Sequence, residues 1–349
     1  MKSVNVAQIA HELKLTQAGV RKKISMGELP ILQAGRAFIS TQTGIDYYKF
    51  ANEHKITLNS LKRQAKTLSF VNHKGGCSKT TTAYTIAALL HSFGNKVLLA
   101  DLDPQGNSTQ SVLDPLVNAE GIIIPFVKTI KDLLLYRKEN GSVGVNRIKE
   151  VVQTSKFGFD AIPCDLSLNS IMQDLESSSF KEVILKELLN EISAEYDYII
   201  LDTPPTLGFS VISALTASDY VCIVSLAEAF SILGVEQTVN LISSVKTQNS
   251  VLANPKAMKI LGTVISKAEM NTNISKHFVN ELQKFTSERD ITLFFDDIIP
   301  KTTKIPETQA TGELITDVDP KGEAALSYFN IAMLMDMEVK KDRIKEKLS

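Results

Sequence analysis

The stretch Ser69–Tyr84, SFVNHKGGCSKTTTAY, sets a Gly-Gly pair between Lys74 and Lys79. It follows an apolar run, TLSFVN, and leads into a helical stretch from about Lys79 to Phe93. In a strand–loop–helix setting, Gly75 and Gly76 let backbone N–H groups curl around phosphate oxygens at the positive end of a helix dipole. Lys79 would then reach the β- and γ-phosphates, and the Thr80 hydroxyl would ligate Mg²⁺. Cys77, Ser78 and Thr81 complete this candidate nucleotide cradle. The common GxxxxGK[ST] spacing is not met, because His73 and Ser78 stand at its glycine positions. A phosphate loop needs one lysine, so Lys74 is left over.

Two carboxylate clusters accompany the loop. DLDPQGN, Asp101 to Asn107, closes the apolar run KVLLADLD. Alternation places Asp101 and Asp103 on one side of a strand end, where a carboxylate orients an attacking water or a hydrated Mg²⁺. YDYIILDTPP brings Asp202 to another strand end, the expected place for an acid that holds Mg²⁺ through water.

Positioning these groups calls for parallel strands. From about Thr67, short apolar runs without alternation (TLSFVN, KVLLADLD, FGFDAIPCD, YDYIILDTPP, YVCIVSLAE, AMKILGTVISK, ITLFFDDIIP) alternate with helical stretches such as FKEVILKELLNEI and SILGVEQTVNLISSVK. Such runs predict strands covered on both faces. The fold class is therefore α/β, a doubly wound, mostly parallel sheet with ligands at the carboxyl ends of its strands.

The 349 residues suffice for one large core and a small module. A formal charge of −1 conceals an asymmetry: residues 1–67 carry eleven Lys/Arg against four Asp/Glu, net +7, leaving 27 against 35, net −8. A basic end on an acidic body suggests contact with a polyanion. Cys77, Cys164 and Cys222 are widely spaced and read as buried thiols in a reducing compartment. The opening MKSVNVAQIAHELK does not read as a signal peptide, and no apolar run reaches the ~18 residues of a membrane span. A cytoplasmic protein is expected.

Together the loop KGGCSKTT, DLDPQGN and the run ending at Asp202 resemble the ParA/MinD family of deviant Walker-A ATPases, whose signature is KGGxxKT[ST]. The resemblance spans roughly Leu68 to Ala332. It implies a P-loop NTPase using ATP/ADP and Mg²⁺ as a homodimer, in which Lys74 crosses to the phosphates held by the partner. Lys74, Lys79 and Asp103 would be catalytic, Asp103 activating water, and Thr80, Asp101 and Asp202 would serve the metal. The segment beginning IIPKTTKIPE resembles the family's later portion and sets Pro300 near the base. Ser78 departs from a frequent glycine.

Upstream, Val6, Ile9, Ala10 and Leu13 form the apolar face of a short helix. Thr16 is the expected N-cap of a second, QAGVRKKIS, which buries Val20 and Ile24 and shows Gln17, Arg21, Lys22 and Lys23. A hairpin, ILQAGRAFIS, turns at Gly35-Arg36. This order resembles the winged helix-turn-helix of excisionase and MerR-type modules and implies DNA contact through these residues and Arg36. The expected domains are 1–50 (winged helix-turn-helix), 51–66 (linker helix), 67–338 (ATPase) and 339–349 (a charged, frayed tail).

The leading expectation is a DNA-partitioning ATPase that binds nonspecific DNA, associates with the nucleoid, and hydrolyses ATP when a ParB-like centromere-binding partner stimulates it. Its first domain would bind an operator. Lys246, Lys256, Lys259, Lys267 and Lys276 are candidates for nonspecific DNA contact. The alternatives are a MinD-like membrane-positioning ATPase and a nucleotide-sensing repressor. The former needs a bulky amphipathic end helix, for which Val339, Ile344 and Leu348 offer a thin stripe, so no membrane partner is expected.

Overall fold

The computed structural model describes residues 3–55, 64–118, 120–177, 181–206, 208–228, 231–251, 258–289 and 297–348. Seven strands form the main sheet. In chain order they are β1 (Lys66–Val71), β2 (Val97–Asp101), β3 (Gln153–Thr154), β4 (Asp160–Ile162), β5 (Tyr198–Asp202), β6 (Tyr220–Leu226) and β7 (Lys259–Ser266). Across the sheet the order is β7-β6-β1-β5-β2-β4-β3, parallel throughout except for β3 against β4. The doubly wound, mostly parallel α/β body expected from the sequence is present.

Alternation along the strands feeds two cores. Leu68, Phe70, Leu99 and Ile200 face the helices Lys79–Ser92 and Glu323–Leu348, while Leu98, Ala100, Ile199 and Leu201 face the opposite layer with Leu188 and Leu189. Both faces need apolar residues, which is why the strands read as unbroken apolar runs. The helix Lys79–Ser92 is buried on nearly every side, from Thr81 to Leu90. Its first turn follows the loop His73–Ser78, so the core anchors the end of that loop.

The upstream module has the expected local elements. Asn5 and Gln8 form a capping box on the helix Val6–Glu12, and Thr16 caps Gln17–Ser25 by accepting from Gly19 N at 3.0 Å. Leu32–Ala34 and Ala37–Ile39 pair antiparallel around Gly35, whose φ of +59° suits the turn. Val6, Ile9, Val20, Leu29, Ile45 and Tyr48 make a separate small core.

Two boundaries differ from the sequence reading. A third helix, Gln42–Glu53, crosses the proposed limit at residue 50, with Ile45 and Tyr48 in the module core and Tyr47 in the main core. Residues 339–349 are not a frayed tail: the final helix runs unbroken from Glu323 to Leu348 and buries Val339. Ion pairs Lys66–Glu346, Lys259–Glu338 and Lys259–Asp342 fasten it to the body, contacts a charged sequence does not announce. Residues 56–63 of the linker, the run ITLFFD and Lys256 lie outside the described residues.

Candidate functional site

Three adjacent strands deliver the site. β1 runs into the loop His73–Ser78, while Asp101 of β2 and Asp202 of β5 are register partners at the carboxyl ends of their strands. A cleft of about 610 Å³ opens there, lined by Gly76 to Thr81, Asp103, Gln105 and Asn107. Lys267 and Gln309 complete its wall.

The loop is shaped by its own backbone and braced from outside. Gly76 lies at φ +73° and Ser78 at φ +68°, so both occupy the left-handed region. Ser78 there caps no N–H with its side chain, leaving the first amides of the helix Lys79–Ser92 free of a side-chain cap. Asn72 Oδ1 accepts from Lys74 N at 3.0 Å, and Asn72 Nδ2 donates to Val224 O at 2.6 Å, which ties the loop's start to β6.

The two lysines are held differently. Lys79 is 6% exposed, with Nζ 3.4 Å from the Lys74 carbonyl, beneath its own loop. The Lys74 side chain is 37% exposed and its Nζ pairs with Glu228 Oε2 at 2.7 Å, and neither residue lines the cleft. The Lys74 ammonium is thus paired with Glu228, while that of Lys79 lies under the loop.

The carboxylates divide in the same way. Asp101 is buried and already engaged: Oδ2 accepts from Thr109 N at 2.9 Å and Thr109 Oγ1 at 2.8 Å, and Oδ1 from Asp103 N at 3.1 Å. It does not line the cleft and shapes the turn that carries Asp103. Asp202 is fully buried, its Oδ2 accepts from Ser108 Oγ at 2.7 Å, and its Oδ1 has no hydrogen-bond partner. Burial pushes the pKa of both carboxyls up, and the charge of Asp202 raises that of Asp101 further, against the hydrogen bonds they accept. The Asp202 carboxylate, with Oδ1 unpartnered by distance and the Thr80 hydroxyl close enough to lower its pKa, offers with Thr80 the oxygen donors a small hard cation takes. Among the described residues no cage of three or more His, Cys, Asp or Glu occurs, and Mg²⁺ shared with phosphates needs none. Asp103 is 7% exposed, reaches the cleft, and accepts from Gln105 N at 3.0 Å.

Other expected residues fall outside this cluster. Pro300 bridges Ala268 beyond β7 and does not line the cleft. Sequence reasoning missed Ser108, Ser266, Gln309 and the part of Lys267 in the cleft. Ser266 and Lys267 close a parallel strand at its carboxyl end, which was the available signal. Lys259, a candidate for DNA contact, is committed to Glu338 and Asp342. Cys77, Cys164 and Cys222 are free and buried, and burial raises all three thiols above their usual pKa.

On the module, Gln17, Arg21 and Arg36 line one groove together, and Lys22 is exposed. Lys23 instead closes an ion pair with Glu28 at 2.6 Å, so it serves the module's own packing.

Comparison with known proteins shows the family and the fold. The model of a family described as "AAA domain" matches residues 65–260. The chain is 31% identical over 268 residues to the chromosome-partitioning ATPase Soj of Treponema pallidum, covering 76% of this chain and 95% of that one. It is 30% identical over 258 residues to the chromosome partitioning protein ParA of Myxococcus xanthus, covering 74% and 83%. Its fold matches cobyrinic acid a,c-diamide synthase of Mycobacterium smegmatis with bound ATP analog and magnesium at a TM-score of 0.62 and 25% identity, covering 80% and 97%.

Proposed function

The chain belongs to the ParA-type partition ATPases, and from that premise we propose that it is a DNA-partitioning ATPase acting as an ATP-dependent homodimer. ATP would lie along the loop Gly75–Thr81, with Lys79 on its terminal phosphates. Thr80 and the free Asp202 oxygen would hold Mg²⁺, which supplies positive charge to the phosphate oxygens. Asp103, carried into the cleft by the Asp101-braced turn, would orient the attacking water. Lys74 would leave Glu228 and reach the phosphates of a second subunit, making dimerisation and nucleotide state one linked event.

The single observation that carries this reading is the split between the lysines: Lys79 sits 6% exposed under its loop while Lys74 is paired outward with Glu228. In the dimer, nonspecific DNA would be bound on the body, and a ParB-like centromere-binding protein would stimulate hydrolysis and release. The module would bind an operator through Gln17, Arg21, Lys22 and Arg36. Against a membrane-positioning role, the last helix is fastened to the body by ion pairs. The test is ATP turnover with Mg²⁺, with and without random-sequence DNA and the centromere-binding partner. Stimulation that requires DNA and partner together supports the reading, and turnover indifferent to both contradicts it.

A further inference from the structure

Two consecutive residues at the end of β7 grip carbonyls of the phosphate loop. Ser266 Oγ donates to Cys77 O at 2.8 Å, and Lys267 Nζ donates to Gly76 O at 2.8 Å. A trans peptide unit is planar, with its C=O and N–H pointing in opposite directions. Fixing the Gly76 carbonyl on Lys267 therefore fixes the direction of the Cys77 N–H, and fixing the Cys77 carbonyl on Ser266 does the same for the Ser78 N–H. Both amides belong to the stretch that lines the cleft.

We propose that Lys267 is a positioning residue of the phosphate loop, turning the Gly76 carbonyl away from the bound phosphates so that the Cys77 N–H faces them. The proposal rests on the reading of this loop as a nucleotide cradle. Two features mark Lys267 as placed for this task. Its backbone lies at φ +53°, a conformation costly for a residue with a side chain, and that turn accompanies the reach of its ammonium to the loop. The loop itself needs bracing, because Ser78 takes a left-handed position that glycine occupies without strain. A carbonyl left facing the phosphates would repel them. An ammonium on that carbonyl neutralises its partial charge and adds a cation at the rim, where a lone surface lysine would do neither.

The experiment is isothermal titration of wild type, K267M and K267R with Mg·ADP, alongside KM and kcat for ATP and unfolding of each protein without nucleotide. Loss of one charge-assisted hydrogen bond that orders the loop should weaken Mg·ADP binding about tenfold in K267M. KM for ATP should rise by a similar factor with a smaller change in kcat, and the nucleotide-free melting temperature should stay near that of wild type. K267R, which keeps a charged donor, should recover most of the affinity. Equal affinity of wild type and K267M, or K267R binding as weakly as K267M, would overturn the assignment of Lys267. Wild type failing to bind Mg·ADP would instead overturn the nucleotide reading beneath it.

Discussion

Lys74 Nζ rests 2.7 Å from Glu228 Oε2, and neither residue lines the cleft that Lys79 lines. Both partners are substantially exposed, so the pair is worth at most about 1 kcal/mol. A phosphate group offers a stronger partner than one solvated carboxylate. Lys74 can therefore leave Glu228 at small cost.

Asp103 reaches the cleft on a turn that Asp101 holds through Thr109 and the Asp103 amide. Asp103→Ala leaves Lys79, Thr80 and Asp202 untouched. ATP binding should stay within about threefold of wild type while stimulated hydrolysis falls at least about a hundredfold, the usual scale for a group acting on the attacking proton. Turnover assays with parallel nucleotide titration check this, and near-normal turnover removes Asp103 from the chemistry.

The module is joined to the body through a buried polar cluster. Asp336 is fully buried and accepts hydrogen bonds from Tyr47 OH, Tyr198 OH at 2.6 Å and Lys340 Nζ at 2.7 Å. Thr41 Oγ1 adds a bond to Asn330 Oδ1 at 2.5 Å. Burial alone would raise the Asp336 pKa, but the charge of Lys340 and these hydrogen bonds outweigh it and hold the carboxyl below its usual value. A lowered folded pKa stabilises above the unfolded pKa of about 3.9, and that contribution disappears as pH falls through the folded value. Asp336→Ala should cost about 3 kcal/mol at pH 7, and the difference from wild type should shrink below about pH 4. Urea unfolding at both pH values measures it. A cost under about 1 kcal/mol at pH 7 would mean that the cluster does not hold the two parts together.

On the module, Arg21 and Lys22 point outward, and Arg21 shares a groove with Gln17 and Arg36. Reversing Arg21 and Lys22 to Glu should remove operator binding at least about a hundredfold yet spare ATP-dependent binding to random DNA. Phosphate contacts are steeply salt-dependent, so both titrations belong at one ionic strength. Loss of both activities together would show that the module is not a separate reader.

Much of this was legible in the sequence because it is local or periodic. The loop sits between an apolar run and a helix, Thr16 caps the helix it precedes, and Gly35 turns the hairpin it interrupts. What escaped depends on residues far apart in the chain. Glu346 meets Lys66 and Asp342 meets Lys259 across separations of 280 and 83 residues, so residues 339–349 read as a charged tail when their anchors were invisible. Lys267 read as one scattered lysine among several, since its role depends on a left-handed backbone turn that no pattern announces. Asp101 was legible as a carboxylate at a strand end, but not as one already spent on Thr109.

The central claim is that Lys74 serves a second subunit's nucleotide. The most direct measurement is Mg·ATP titration together with sedimentation of Lys74→Ala and Lys79→Ala. Lys79→Ala should lose nucleotide binding. Lys74→Ala should bind Mg·ATP within about threefold of wild type, because Lys79, Thr80 and the loop amides remain, yet sediment as a monomer. Triphosphates facing each other across an interface repel, and a cation contributed by each partner offsets that at close range. A Lys74→Ala protein that forms the ATP-dependent dimer as wild type does would contradict the account.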